Sequence, residues 1–223
     1  MSLKLLISAI MKFISGLLIV GILLFIPAGT FGYFNAWLFI EILFIPMFIA
    51  GIVMMFKNPA LLEKRLDAKE KLKEQNFIIK LCGLMFVAGF IIAGLDYRFG
   101  WSELSLYFIT SATIIFLISY ILYAEVLREN AYLSRTIKVE KNQKVISSGL
   151  YGIVRHPMYT ATIFLFLSMP IILGSFYSFL IFLFYPVLII KRISSEEKVL
   201  EKQLDGYKEY KEKVKYRLIP YIW

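Results

Sequence analysis

The chain holds a single histidine, His156, set between Arg155 and Pro157. Some forty residues later come Arg192, Glu196 and Glu197. Positions four apart share a helix face, so Arg192 and Glu196 would stand side by side with opposite charge. A helix begun by Pro157, where the missing N–H costs nothing, offers its N-terminus to an anionic group. Glu196 suits a cationic or hydroxyl-bearing group. Together they fit a zwitterionic ligand. With one histidine and one cysteine, Cys82, the chain can form neither a Cys/His metal cluster nor an internal disulfide. No Ser/His/Asp triad can be assembled convincingly. Singly, Arg155, Lys191 and Arg192 would be interfacial anchors, the ordinary role of basic residues at the ends of apolar spans. Two adjacent glutamates gain nothing from an anionic leaflet, and so the cluster reads as a site.

The elements that must position these residues follow from hydropathy. The 223 residues are 59% hydrophobic with a mean hydropathy of +0.72, a membrane composition. Spans of about 20 apolar residues are expected near Lys12–Ala28, Tyr33–Phe56, Phe77–Leu95 and Leu104–Leu127. The first is read as a retained span, because it has no clear small-residue cleavage site. Met158–Ile190 carries no charge over 33 residues, too long for one span at about 1.5 Å per residue. Pro170, Gly174 and Ser175 are breakers that fold it into a helical hairpin over 157–192. Pro186 can kink the returning helix. The hairpin brings Arg155, His156 and Tyr159 to Arg192, Glu196 and Glu197.

The expected fold is all-α: a bundle of about six transmembrane helices, four over residues 1–127 and the hairpin within 128–223. The net charge of +9 does not point to nucleic acid. Of the 25 Lys and Arg residues, 24 fall in segments on one side and only Arg98 on the other. The positive-inside rule then places both termini in the cytoplasm. The mixed-charge segment 57–76 is expected to be a solvated connector, helical in part. Lys198–Tyr216, with Leu200, Leu204, Tyr207 and Val214 near helical spacing, is expected to be one amphipathic helix on the inner leaflet or over the site.

The segments "GLYGIVRHPMY" and "RISSEEKVLEKQLDGYKEYKEKVKYRLIPYIW", with the upstream "LRENAYLSRTIKVEKNQKVISSG", resemble the C-terminal half of the isoprenylcysteine carboxyl methyltransferase family in its prokaryotic form. The phospholipid N-methyltransferases share this signature. The similarity covers residues 125–223, and the first four spans carry no recognisable motif. The resemblance implies an integral-membrane enzyme that uses S-adenosyl-L-methionine. Carried over by position, it assigns the cofactor to Gln143, Lys144, Val145, Ile146, Tyr151, His156, Pro157, Met158, Tyr159 and Glu196. Arg192 is assigned to substrate and catalysis, and Arg155 and Glu197 belong to the motif without an assigned role. The chain departs from the pattern at Leu150, where relatives often have Pro, and at Ala161, where they often have Gly.

Methyl transfer from a sulfonium is an in-line displacement on an activated donor, so the protein's task is positioning and electrostatics. A carboxylate acceptor would be its own nucleophile, oriented by Arg192 in a bidentate contact. An amine acceptor, as in a phospholipid N-methyltransferase, would need a base, for which Glu197 or His156 are candidates; a thiol acceptor is the third alternative. The expected acceptor is a lipophilic small molecule or prenylated substrate reached from membrane lipid. Two other classes compete. Sterol-type membrane reductases share a related C-terminal pattern but usually carry an Asn and a Gly-Asp that "RHPMYTA" lacks. A non-enzymatic membrane protein is disfavoured, since Glu41 and Glu125 are the main intramembrane ionisable groups available.

Overall fold

A computed structural model describes residues 3–67, 70, 72–134, 136–137 and 139–223. Among them there are helices and no strands. Hydropathy dictates the long helices: α1 (Leu3–Ala28), α2 (Phe34–Lys57), α4 (Lys73–Phe99) and α5 (Leu106–Glu129). Between α2 and α4 lies the short α3 (Pro59–Leu66), capped by Asn58, whose Oδ1 accepts from Leu61 N at 3.1 Å. α6 (Pro157–Ile172) leads into α7 (Phe176–Phe182) and α8 (Phe184–Gln203). The last helix is α9 (Tyr207–Lys213).

Among the described residues, five helices are long and apolar enough to cross a membrane, with α7 and α8 taken as one, and α6 is a sixth apolar helix of 16 residues. The bundle is therefore an all-α membrane architecture. Its outer faces carry Ile14, Leu18 and Ile22 on α1, Ile45, Phe48 and Ile52 on α2, and Ile118 and Ile121 on α5, all exposed. Such a surface needs lipid as its solvent, and helices suit lipid because they satisfy their own backbone polar groups. One apolar core, including Leu24, Phe39, Phe90, Phe116, Ile172, Phe182 and Ile193, joins α1, α2 and α4 to α8.

The hairpin turns where its breakers lie. Gly174 has φ +78° and Ser175 N donates to Pro170 O at 2.9 Å. The break between α7 and α8 falls at Leu183, three residues before Pro186, as expected of a ring that clashes with the carbonyl four residues back. α1 begins nine residues before the expected span, and Lys12 bonds Leu66 O at the end of α3. Lys12 thus marks the level of the bundle end at which α3 sits.

Three expectations need correction. The segment 198–216 is not one helix. Lys198–Gln203 completes α8, the chain breaks at Leu204–Gly206 with Gly206 at φ +80°, and α9 starts anew. An L-residue strongly resists that backbone angle, so Gly206 marks the interruption. The connector is not merely solvated: Lys64 pairs with Glu140 at 2.8 Å and donates to Ala131 O at 3.2 Å, while Glu70 accepts from Ile137 N at 3.1 Å. Finally, Glu41 is exposed and Glu125 pairs with Arg128. An acid sealed inside the bundle at the end away from α3 is Asp96, 1% exposed.

Candidate cofactor and substrate pocket

The pocket lies where α6 begins and α8 ends. Its first wall depends on Gly149, which has φ +54° and opens a 3-10 turn, Gly149–Gly152. The Glu129 carboxylate, at the end of α5, accepts from Leu150 N at 3.0 and 3.2 Å. A Cβ on Gly149 would stand 1.7 Å from that carboxylate. Glycine is thus demanded by both backbone angle and space. The turn delivers Tyr151, whose hydroxyl accepts from Asn130 Nδ2 at 3.0 Å and whose carbonyl accepts from Tyr210 at 2.7 Å.

After the turn come Arg155 and His156, whose N–H groups donate to Tyr216 O and Arg217 O, each at 2.9 Å. Pro157 then starts α6. The polar groups separate into two layers. In the deeper layer Glu197, 3% exposed, accepts from Arg155 Nε at 2.7 Å and Arg217 Nε at 3.0 Å, with His156 Nε2 at 3.2 Å. Arg155 also donates to Val214 O and Lys215 O at 2.7 and 2.8 Å. This layer ties the hairpin to residues 214–217. In the layer facing the pocket, the Tyr159 hydroxyl donates to Glu196 Oε2 at 2.6 Å and accepts from Arg192 Nε at 2.8 Å. One phenol thus couples the two residues that share a face of α8.

The empty space of the pocket, with the open solvent at its mouth included, is about 850 Å³. Gln143, Lys144, Val145, Ile146, Tyr151, Arg155, His156, Met158, Tyr159, Arg192 and Glu196 all line it. Pro157 and Glu197 do not. Pro157 is fully buried as the first residue of α6, and Glu197 is enclosed by its cations. Glu197 is thereby removed as a candidate base facing an acceptor, whereas His156 keeps a place in the wall. Gln143 also builds its own loop: its Oε1 accepts from Glu140 N at 2.9 Å beside the left-handed Asn142.

Sequence reasoning missed Asn130, Arg217, Tyr210 and the pocket role of Tyr207. The last two occur as a Tyr-x-x-Tyr pair, spacing that reads equally well as an amphipathic stripe. They belong to a small apolar cluster with Leu204 and Val214, flanked by Val139, Val145 and Leu200. The pocket therefore has an apolar end built by α9 and a polar end built by α6 and α8. A molecule with an aromatic heterocycle at one end and charged groups at the other fits that division.

Fold and site define a multi-pass helical membrane protein with a ligand pocket between its last spanning helices. Residues 106–202 match the isoprenylcysteine carboxyl methyltransferase (ICMT) family. The matched stretch, under half of the chain, holds α5, α6 and nearly all of α8. A Delta(14)-sterol reductase of Mus musculus is 31% identical over 91 residues, 40% of this chain and 22% of that protein. The chain thus spans under a quarter of the length of this curated relative.

Proposed function

We propose that the chain is an integral-membrane methyltransferase that uses S-adenosyl-L-methionine and acts on a lipophilic or prenylated acceptor. The observation that carries this reading is the Arg192–Tyr159–Glu196 relay at the polar end of the pocket. Glu196 offers a carboxylate to a cationic or hydroxyl-bearing part of the cofactor. Arg192, one helical turn away, offers a guanidinium to the acceptor. A guanidinium beside a positively charged methyl donor would be repulsive unless an anionic or strongly polar acceptor lay between them. That argument favours a carboxylate, oriented by the planar fork of Arg192. Bound S-adenosyl-L-methionine supplies an activated methyl group, and the chain's residues bind, orient and exclude water. By the positive-inside reading the pocket opens to the cytoplasm, where a soluble cofactor would reach it.

The donor set suits such a cofactor. His156, Tyr159 and Glu196 supply polar partners, and Val145, Leu200 and Leu204 supply an apolar wall. A second reading, a reductase using NADPH, is favoured by the similarity to the sterol reductase. Calorimetric titration of the full chain with S-adenosylhomocysteine and, separately, NADPH decides between them. Binding of S-adenosylhomocysteine alone is the expected result. Binding of NADPH alone would overturn the proposal, and binding of neither would reject both readings.

A further inference from the structure

Tyr207, the first residue of α9, lines the pocket and is only 4% exposed. Its hydroxyl is buried and, among the described residues, has no hydrogen-bond partner. Buried polar atoms are nearly always paired, and an unpaired one in a native protein calls for an explanation. Its neighbour Tyr210 donates to Tyr151 O at 2.7 Å, so a partnered phenol is attainable in this wall.

Two features define what the hydroxyl could meet. Burial raises its pKa, and the nearby Glu197 and Glu196 charges add to the effect, so the group stays protonated and able to donate. Those carboxylates would repel an anionic acceptor placed beside the hydroxyl. An uncharged oxygen or nitrogen is left. Around the ring lie Leu204, Tyr210, Val145 and Leu200, an apolar surround suited to a heterocycle and its sugar rather than to an amino acid's charges.

We propose that Tyr207 is a binding residue of this pocket, its hydroxyl donating a hydrogen bond to an uncharged acceptor on the nucleoside half of the bound S-adenosyl ligand. The inference rests on the methyltransferase reading above and adds a residue, a ligand half and a bond direction to it.

The test is Tyr207→Phe in the full chain, with two measurements. The first is calorimetric affinity for S-adenosylhomocysteine and for methylthioadenosine, which lacks the amino-acid half. The second is the thermal midpoint of the ligand-free protein. Phe keeps the ring contact with Tyr210, at 5.7 Å between centroids, and removes only the unpaired hydroxyl. The ligand-free midpoint should therefore stay level or rise, while affinity for both ligands falls by the same factor, about three- to tenfold. Unchanged affinity, or a lowered midpoint, would make Tyr207 a packing residue and overturn the proposal. Loss for S-adenosylhomocysteine alone, or a wild-type chain that binds it but not methylthioadenosine, would overturn the placement on the nucleoside half. A wild-type chain that binds neither ligand would remove the methyltransferase reading itself, a failure distinct from that of Tyr207.

Discussion

The bundle buries one polar cluster at each end, and the two are satisfied to different degrees. Away from the pocket, Asp96 accepts from Ser102 N at 2.8 Å, from Ser175 Oγ at 2.5 Å and from the Ser102 hydroxyl. Those hydroxyls accept in turn: Ser175 Oγ from Ser178 N and Ser102 Oγ from Phe176 N, each at 3.1 Å. Ser178 then donates to Gly89 O at 2.8 Å. The network closes on itself and staples the α6–α7 turn to the end of α4. At the pocket end only the deeper layer around Glu197 is closed in this way. Among the described residues, Glu196 accepts a single bond, from Tyr159, and the Tyr207 hydroxyl has no partner. A saturated buried network holds structure together, whereas one with spare donors and acceptors is suited to a ligand that completes it.

The largest effect should come from Glu197→Ala. It leaves Arg155, 6% exposed, and Arg217 without their carboxylate. Breaking a buried ion pair from one side costs about 3–5 kcal/mol, read as a lower unfolding free energy of the ligand-free protein. A loss below about 1 kcal/mol would place Glu197 with the ligand-binding groups and blur the division between the layers.

Next in size is Asp96→Ala, which strips an acceptor from three donors at the far end. About 2–3 kcal/mol of stability should go, while the folded protein's affinity for S-adenosylhomocysteine is unchanged. Weakened affinity would show the far cluster coupled to the pocket and defeat the contrast between the ends.

Arg192→Lys should leave stability nearly level and separate binding from turnover. The charge remains but the planar fork is lost. Cofactor affinity should stay within about threefold, or about 0.7 kcal/mol, while methyl transfer to a panel of prenylated or fatty acceptors falls by about tenfold or more. Parallel loss of both would assign Arg192 to the cofactor wall. No change in either would leave it an interfacial anchor.

Much of the site was legible because it sits on regular helices. Arg192, Glu196 and Leu200 recur every turn of α8, and Pro157 announces α6, so periodicity and one proline place most of the polar wall. The loop residues 143–146 were reached only through the family resemblance. Their geometry depends on Asn142 in a left-handed conformation and on Gln143 bonding its own loop, which hydropathy cannot register. Arg217 and Asn130 carried no signal, since Glu197 and Tyr151, the partners that tie them to the site, lie 20 or more residues away.

By itself the sequence determined the long helices, the turn at Gly174 and the pairing of Arg155–His156 with Glu196–Glu197. Twenty apolar residues in lipid have few alternatives to a helix, and a glycine after a proline-bearing helix ends it. Only the tertiary structure decided which glutamate faces the pocket. Glu196 and Glu197 are adjacent in the chain, but about 100° of helical rotation separates them. Packing against residues 214–217 turns Glu197 toward two arginines and leaves Glu196 beside Tyr159. Tertiary structure alone also decided that Asp96 is sealed at the far end. The serines that satisfy it come from the α4–α5 loop and the hairpin turn, and only the folded bundle brings them together.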